Sequence, residues 1–411
     1  MSLAKERSLT HKQSLRHDQP LWLATPRTSV SARQAPTSDS FDVIIVGAGI
    51  SGALMALSLC KKGKRILIVD RRQPVRGSSA ASTAMIQHEI DVPLHHLARR
   101  IGWNNASRVW RRSARAVEDL KNLVRDLDLK CSFQPRRTLF LSGDEYGARA
   151  LKAEVAARKR AGIDAEFLDG GAVFERHRIE RSGAIDSAVS ASANPVQMTA
   201  EILRAVKTQG VEIVTGSEIK DVREAGDVVF VATDEGKMIA ARHVVFCTGY
   251  EFLECLRSKK HKLMSTWALA SKPRLKRPSW LSDYLVWEGS DPYLYFRSTT
   301  DGRVIVGGED EEDDNAHADP AKAMQKTRIL SEKLADLTGI AMGKPEFAWS
   351  AAFGVTPNGL PMIGLAPGMR QVFVAMGFGG NGITFSRIAA DLISATILGH
   401  KDADWDLFPV F

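Results

Sequence analysis

Cysteine is scarce and unpatterned in this 411-residue chain: Cys60, Cys131, Cys247 and Cys255 show neither a C-x-x-C pair nor a histidine-paired metal spacing. Secreted disulfide scaffolds carry more cysteines in shorter chains, so these four read as buried, reduced thiols, and no metal site is expected. No apolar run approaches the ~20 residues that cross a bilayer. The first forty residues also lack the apolar core of a secretory signal. A cytoplasmic protein without a transmembrane segment is the resulting expectation. Nor is there a one-sided charge field, although the net charge is +8. Arg99, Arg100, Arg108, Arg111, Arg112 and Arg115 share one helical region, residues 257–277 hold eight Lys or Arg and no acid, and residues 309–314 are all acidic. Opposed clusters of this kind make solvated faces or subunit contacts and argue against a nucleic-acid partner.

What is present is concentrated in one stretch, residues 41–70, FDVIIVGAGISGALMALSLCKKGKRILIVD. An apolar run meets Gly47, Gly49 and Gly52 in G-x-G-x-x-G order, a helical pattern follows to Gly63, and a second apolar run ends at Asp70. Gly47 permits the tight turn out of the strand, Gly49 lets N–H groups approach a pyrophosphate, and Gly52 lets the helix lie close on the sheet. The loop Gly47, Ala48, Gly49, Ile50, Ser51, Gly52 opens a helix whose first N–H groups and positive dipole end suit a phosphate. Asp70, 18 residues beyond Gly52, is placed to accept from a ribose 2′-hydroxyl and would repel a 2′-phosphate. Strand, glycines, helix, second strand and acid agree in order and distance, so an adenine dinucleotide is expected here.

The rest of the chain alternates between this unit and other material. Residues 1–40, rich in Ser, Thr, Arg and Pro, read as a flexible or surface-draped arm, with Leu21, Trp22 and Leu23 as an apolar knot that could pin it. The loop after Asp70 places Ser78, Ser79, Ser82 and Thr83 where small hydroxyl side chains can bond phosphate or a polyol. A long amphipathic helix follows with Asn104 as its expected N-cap, then a strand, a helix and a short strand over residues 131–168. Asn194 opens a helix, and a three-strand meander ends in the apolar run RHVVFCTGY, which places Thr248 and Gly249 at a strand's carboxyl end, where ligands bind. Residues 261–308 read as short antiparallel strands. A second glycine loop at residues 377–382 opens the last helix, a second N-terminus aimed at a ligand.

VGAGISG with Asp70, GSSAAST, VVFCTGY and TPNGLPMIG with GFGGNGIT, in that order, resemble the D-amino-acid oxidase family of flavoproteins, over residues 41–399. The resemblance implies an α/β fold: a Rossmann-like FAD-binding domain of the glutathione-reductase type, interleaved with an antiparallel-sheet α+β substrate domain. The expected division is an arm at residues 1–40, an FAD-binding domain from 41–130, 193–255 and 346–411, and a substrate domain from 131–192 and 256–345. It also implies FAD, and because no cysteine lies in an obvious tethering motif the FAD is expected to be non-covalent. Its pyrophosphate would lie on the first glycine loop, its adenosine ribose on Asp70 beside Arg71 and Arg72, and its adenine against the backbone at Ile219. Ser78, Ser79, Ser82 and Thr83 would flank the flavin and its ribityl chain. Gly377, Gly379, Gly380, Asn381, Gly382, Ile383 and Thr384 would face the flavin's polar edge, where a helix N-terminus favours negative charge.

The implied chemistry is hydride removal from a C–H next to the nitrogen of a small amine or amino acid, with oxygen, a quinone or an electron-transfer protein taking the electrons onward. A 2-hydroxy-acid dehydrogenase and a tRNA-modifying flavoenzyme are the alternatives. Tyr295 and Arg297 alternate on the strand YLYFR and share a face, so Arg297 is a candidate for a substrate carboxylate. His88 is a candidate base. Trp267 and Trp349 are candidate cavity walls. Two departures bear on the substrate: glycine-oxidase-like members carry an arginine for the carboxylate where Phe353 stands, and sarcosine-oxidase-like members carry one where Ala84 stands.

Overall fold

The computed structural model describes residues 9–60, 63–256 and 261–410. Part of the basic stretch, residues 257–260, lies outside them. Alternating apolar runs and helical patterns produce two sheets. The first has eight strands, in the order Met362–Leu365, Val372–Met376, Met238–Gly249, Ser40–Val46, Ile66–Asp70 and Glu212–Thr215, with the meander Ile219–Ala225 and Val228–Thr233 attached to Met238–Gly249. From Val372–Met376 to Glu212–Thr215 every pairing is parallel. Val43, Ile44, Ile45, Ile68, Val244, Val245 and Phe246 are completely buried, as expected of parallel strands covered on both faces. Helices Pro195–Thr208 and Gly382–Ile397 each pack on Ile50–Cys60 over this sheet.

The second sheet has ten strands, running from Arg16–His17 through Phe347–Val355, Lys262–Ala270, Val304–Glu311, Leu294–Ser298, Tyr284–Glu288, Gln134–Leu141 and Gly183–Ser192 to Met85–Gln87, with Glu166–Asp169 on Gly183–Ser192. It is antiparallel except where Tyr284–Glu288 meets Gln134–Leu141. Met85–Gln87 and Phe347–Val355, which the expected division gives to the FAD-binding domain, are strands of this second sheet.

Several local expectations meet the structure. Of the two readings of the N-terminal arm, residues 9–40 follow the draped one and not the flexible one. Arg16 and His17 pair with Ala351 and Ser350, Thr10 bridges Leu253, and Arg33 bridges Val214. Leu21 and Trp22 are buried, with the Trp22 indole donating to the Ser82 carbonyl at 2.7 Å. The apolar knot supplies the anchoring energy, and the segment's backbone groups find sheet edges to pair with. The long helix runs Trp103–Asp126 with Gly102 as its N-cap, so Asn104 lies within it. Asn194 does cap its helix, accepting from Val196 and Gln197 N–H. Cys60, Cys131 and Cys247 are buried, but Cys255 is exposed. The charge clusters are compensated in part: Arg112 lies against Asp402 and Asp404, and Glu309 and Glu311 take Lys322, Lys326 and Lys333.

Candidate active site

A cavity of about 500 Å³ opens beyond the carboxyl ends of the parallel strands and extends beneath the second sheet. Its nucleotide end is built by the βαβ unit. Gly47 has φ +120, and a Cβ there would collide with the Cys247 carbonyl; a Cβ on Gly52 would collide with the Gly47 carbonyl. Both positions need glycine for these reasons, one conformational and one of close packing. Gly47, Gly49, Ile50 and Ser51 line the cavity, whereas Ala48 and Gly52 lie behind it. The Ile50 N–H donates to Ser79 Oγ at 3.0 Å, joining the helix start to the hydroxyl loop. Asp70 is held by N–H donors from Ala48 (2.7 Å) and Arg72 (2.8 Å) and faces the cavity. Burial raises its pKa despite these bonds, so a hydroxyl donor there would relieve an imperfectly solvated carboxylate.

Arg71 and Arg72 reach the same end but are engaged by Glu251, which also accepts from the Gln13 N–H. Thr10 and Leu15 line this end as well, so the N-terminal segment is part of the cavity wall. Ser217, Glu218, Ile219, Thr248 and Gly249 complete it. Further along stand Ser78, Ser79, Ser82 and Thr83, and opposite them Gly379, Gly380, Gly382 and Ile383. The glycine cradle, the supported carboxylate and the paired helix N-termini fit an adenine dinucleotide. Gly377, Asn381 and Thr384 do not line the cavity: Asn381 donates to the Glu89 carbonyl and Thr384 to the Gln87 carbonyl at 3.0 Å. They fix the last helix against residues 87–89.

The other end is walled by Asp91, Tyr250, Met264, Thr266, Trp287, Glu288, Tyr293, Tyr295, Asp310 and Phe353. Phe353 lies edge-on to Tyr250, at 6.5 Å between ring centroids. Asp91 is exposed to the cavity, into which it projects; it accepts from the Gly380 N–H at 3.0 Å, and desolvation by the surrounding protein raises its pKa. Glu288 is neutralised by Arg181 at 3.1 Å. Burial holds the Tyr250, Tyr293 and Tyr295 phenols above their ordinary range. Among the described lining residues the only Lys or Arg are Arg71 and Arg72, at the nucleotide end.

Three expectations fail here. Arg297 shares the cavity-facing side of its strand with Tyr295 but does not reach the cavity. Its guanidinium is buried, donates to the carbonyls of Thr83 (2.7 Å), Ala193 (3.0 Å) and Ser298 (3.1 Å), and stacks over Trp22. Burial lowers its pKa to about 9, which leaves it charged at neutral pH. His88 is completely buried beside Trp110, bonds the Val189 carbonyl at 3.0 Å, and burial lowers its pKa, so it is a neutral core histidine. Trp267 and Trp349 are core residues, while Trp287, stacked on Phe140 at 3.7 Å and donating to Glu89, is the tryptophan on the wall. Sequence reasoning also passed over Asp91, Glu251, Tyr293 and Asp310, the last of them read only as part of an acidic run.

The family model described as FAD dependent oxidoreductase, DAO, matches residues 42–396. A putative Rieske 2Fe-2S iron-sulfur protein of Bacillus subtilis, YhfW, is 23% identical over 86% of this chain and 68% of its own length. An uncharacterized oxidoreductase of the same organism, YurR, is 25% identical over 89% of this chain and 97% of its own. Among solved structures, glycine oxidase from Geobacillus kaustophilus superposes with a TM-score of 0.75 at 20% identity, covering 91% of this chain and 99% of that one.

Proposed function

The chain belongs to the DAO family of FAD-dependent oxidoreductases, and from that membership we propose that it oxidises a cationic amine at the carbon next to nitrogen. The observation that carries this reading is the wall opposite the nucleotide end: Asp91 and Asp310 face one cavity among three tyrosines, with no ion pair of their own among the described residues. Two carboxylates in a low-dielectric enclosure attract an ammonium and repel a carboxylate. An amino acid or 2-hydroxy acid would want a cation there, and Phe353 stands on the wall instead.

FAD, when bound, supplies the two-electron acceptor for the hydride. In the proposed arrangement Gly47, Gly49, Ile50 and Ser51 hold its pyrophosphate, Asp70 its ribose and the Ser217–Ile219 backbone its adenine. Ser78, Ser79, Ser82, Thr83 and the Gly379–Ile383 loop flank its flavin. Binding is non-covalent on this reading: the cavity's cysteine, Cys247, has its thiol pushed up to about 12 by burial and offers no thiolate. Trp287, Phe353 and Tyr250 exclude water and orient the amine, while the carboxylates fix its nitrogen. An anaerobic visible spectrum titrated with amines, amino acids and 2-hydroxy acids tests the reading. Bleaching by amines alone supports it, and bleaching by a hydroxy acid with release of the 2-oxo acid overturns it.

A further inference from the structure

An alkylamine at neutral pH is an ammonium ion, and the nitrogen lone pair that assists hydride departure is tied up by a proton. A group in the cavity that takes this proton lets the bound ammonium react below the pH at which free amine is abundant. The tyrosines are held protonated by burial, and Glu288 is neutralised by Arg181. Asp310 is different in how it is placed. Opposite the strand Lys262–Ala270, Ser265 pairs with Glu311 and Trp267 with Gly308, so Thr266 faces two residues, Glu309 and Asp310. That is a β-bulge. Glu309 has φ +58, a left-handed conformation unusual for a glutamate, and its N–H is fixed to the Tyr293 carbonyl at 3.1 Å. Bulges re-aim side chains, and local strain of this kind is kept where a position matters.

The bulge sorts the acidic run by direction. Glu309 takes Lys326 at 3.3 Å and also Lys333; Glu311 takes Lys326 at 3.0 Å and Lys322 at 2.6 Å. Asp310, between them, points into the cavity towards the hydroxyls of Thr266 and Tyr293, and its Oδ1 is buried without a partner. We propose that Asp310 is the catalytic residue that receives the substrate ammonium and takes its proton, an assignment that rests on the amine-oxidising reading above. The N–H bond breaks, the proton passes to the Asp310 carboxylate, and the electron pair stays on nitrogen. FAD, when bound, would supply the acceptor for the hydride then free to leave the adjacent C–H with its electron pair, and water would hydrolyse the iminium so formed. The charged and titratable groups that face Asp310 are Tyr293 and Tyr295, Asp91 across the cavity, and Lys326 from the helix Pro320–Thr338, with Glu309 and Glu311 on its own strand. Burial raises Asp310 to about 6, against the Thr266 and Tyr293 hydrogen bonds and with a further push from Asp91. It is ionised at pH 7 and a stronger base than an exposed aspartate.

The test compares the FAD-loaded wild type with Asp310→Asn and Asp310→Glu. Flavin reduction by the best amine is followed from pH 5 to 10, and binding of tert-butylamine, which has no hydrogen on the carbon next to nitrogen, is followed by calorimetry. The wild-type rate is expected to fall as pH drops through about 6. Asp310→Asn is expected to be slower by ~10²-fold or more at pH 7, to recover about tenfold per pH unit as the free amine fraction grows, and to bind tert-butylamine at least ~10-fold more weakly. Asp310→Glu restores part of both. A folded, yellow Asp310→Asn protein with unchanged tert-butylamine affinity and an unchanged pH profile overturns the assignment while leaving amine oxidation intact. A wild type that no amine reduces overturns the functional reading and the proton transfer built on it.

Discussion

Arg297 shows what a side chain's direction adds to its identity. An arginine alternating with a tyrosine towards a cavity reads as a ligand for a carboxylate, yet its guanidinium turns aside and spends its donors on three backbone carbonyls. One of these belongs to Thr83, in the hydroxyl loop that lines the cavity, so Arg297 is a positioning residue for that loop. Arg297→Met is expected to leave three carbonyls short of a donor, two of them in the buried residues Ala193 and Ser298, and to cost about 2 kcal/mol, read as a lowered denaturation midpoint. It is also expected to speed FAD release without changing which substrates reduce the flavin. An arginine that bound a substrate carboxylate would instead change KM for acids alone. The glycines and Asp70 were legible because their roles follow from neighbours a few residues away. Asp310 was not legible, because one extra residue in a strand decides which face it meets.

At the level of elements, the βαβ unit was recoverable because its signals are local and periodic. The N-terminal segment was not, since its partners lie far along the chain: Leu253, Glu251, Ser350 and Ala351. Gly52→Ala puts a methyl group into the Gly47 carbonyl and is expected to lift the helix Ile50–Cys60 from the strand, giving a colourless protein on purification. The helix Ala148–Arg160 is tied to residues 88–95 by a buried set that composition could not reveal. Arg158 pairs with Glu89 and with Glu154 at 2.8 Å, and Glu154 accepts from His95 at 2.7 Å. Burial alone would raise Glu154, but His95 and Arg158 outweigh it and hold the carboxyl down to about 2. A folded pKa below the unfolded 4.5 means stability that is present above pH 4.5 and is lost as pH falls through about 2. Linkage puts that contribution at about 3 kcal/mol. Urea unfolding of the wild type is expected to weaken steeply between pH 5 and 3, and Glu154→Gln to flatten that slope while lowering stability at pH 7.

Taken whole, the molecule sets a parallel sheet that ends in glycine loops against a larger, mainly antiparallel sheet, with the cavity reaching both. On the proposed reading the first sheet would hold the cofactor and the second would face the substrate. The fold class was readable from motif order, and so was the placing of the first glycine loop and Asp70 at one end of the cavity. The chemistry of the far wall was not, because it is assembled from strands and loops separated by up to 262 residues, from Asp91 to Phe353. Among the described residues no helix is long and apolar enough to cross a membrane. Arg112 and Lys326 spend their charge on Asp402, Asp404 and Glu311 within the molecule. The most direct measurement of the central claim is anaerobic flavin reduction by three molecules of one carbon skeleton: an alkylamine, the α-amino acid that adds a carboxylate to it, and the 2-hydroxy acid that also replaces the amine. The carboxylate-lined wall predicts reduction by the alkylamine and at least ~10²-fold slower reduction by both acids. Equal or faster reduction by either acid would contradict it.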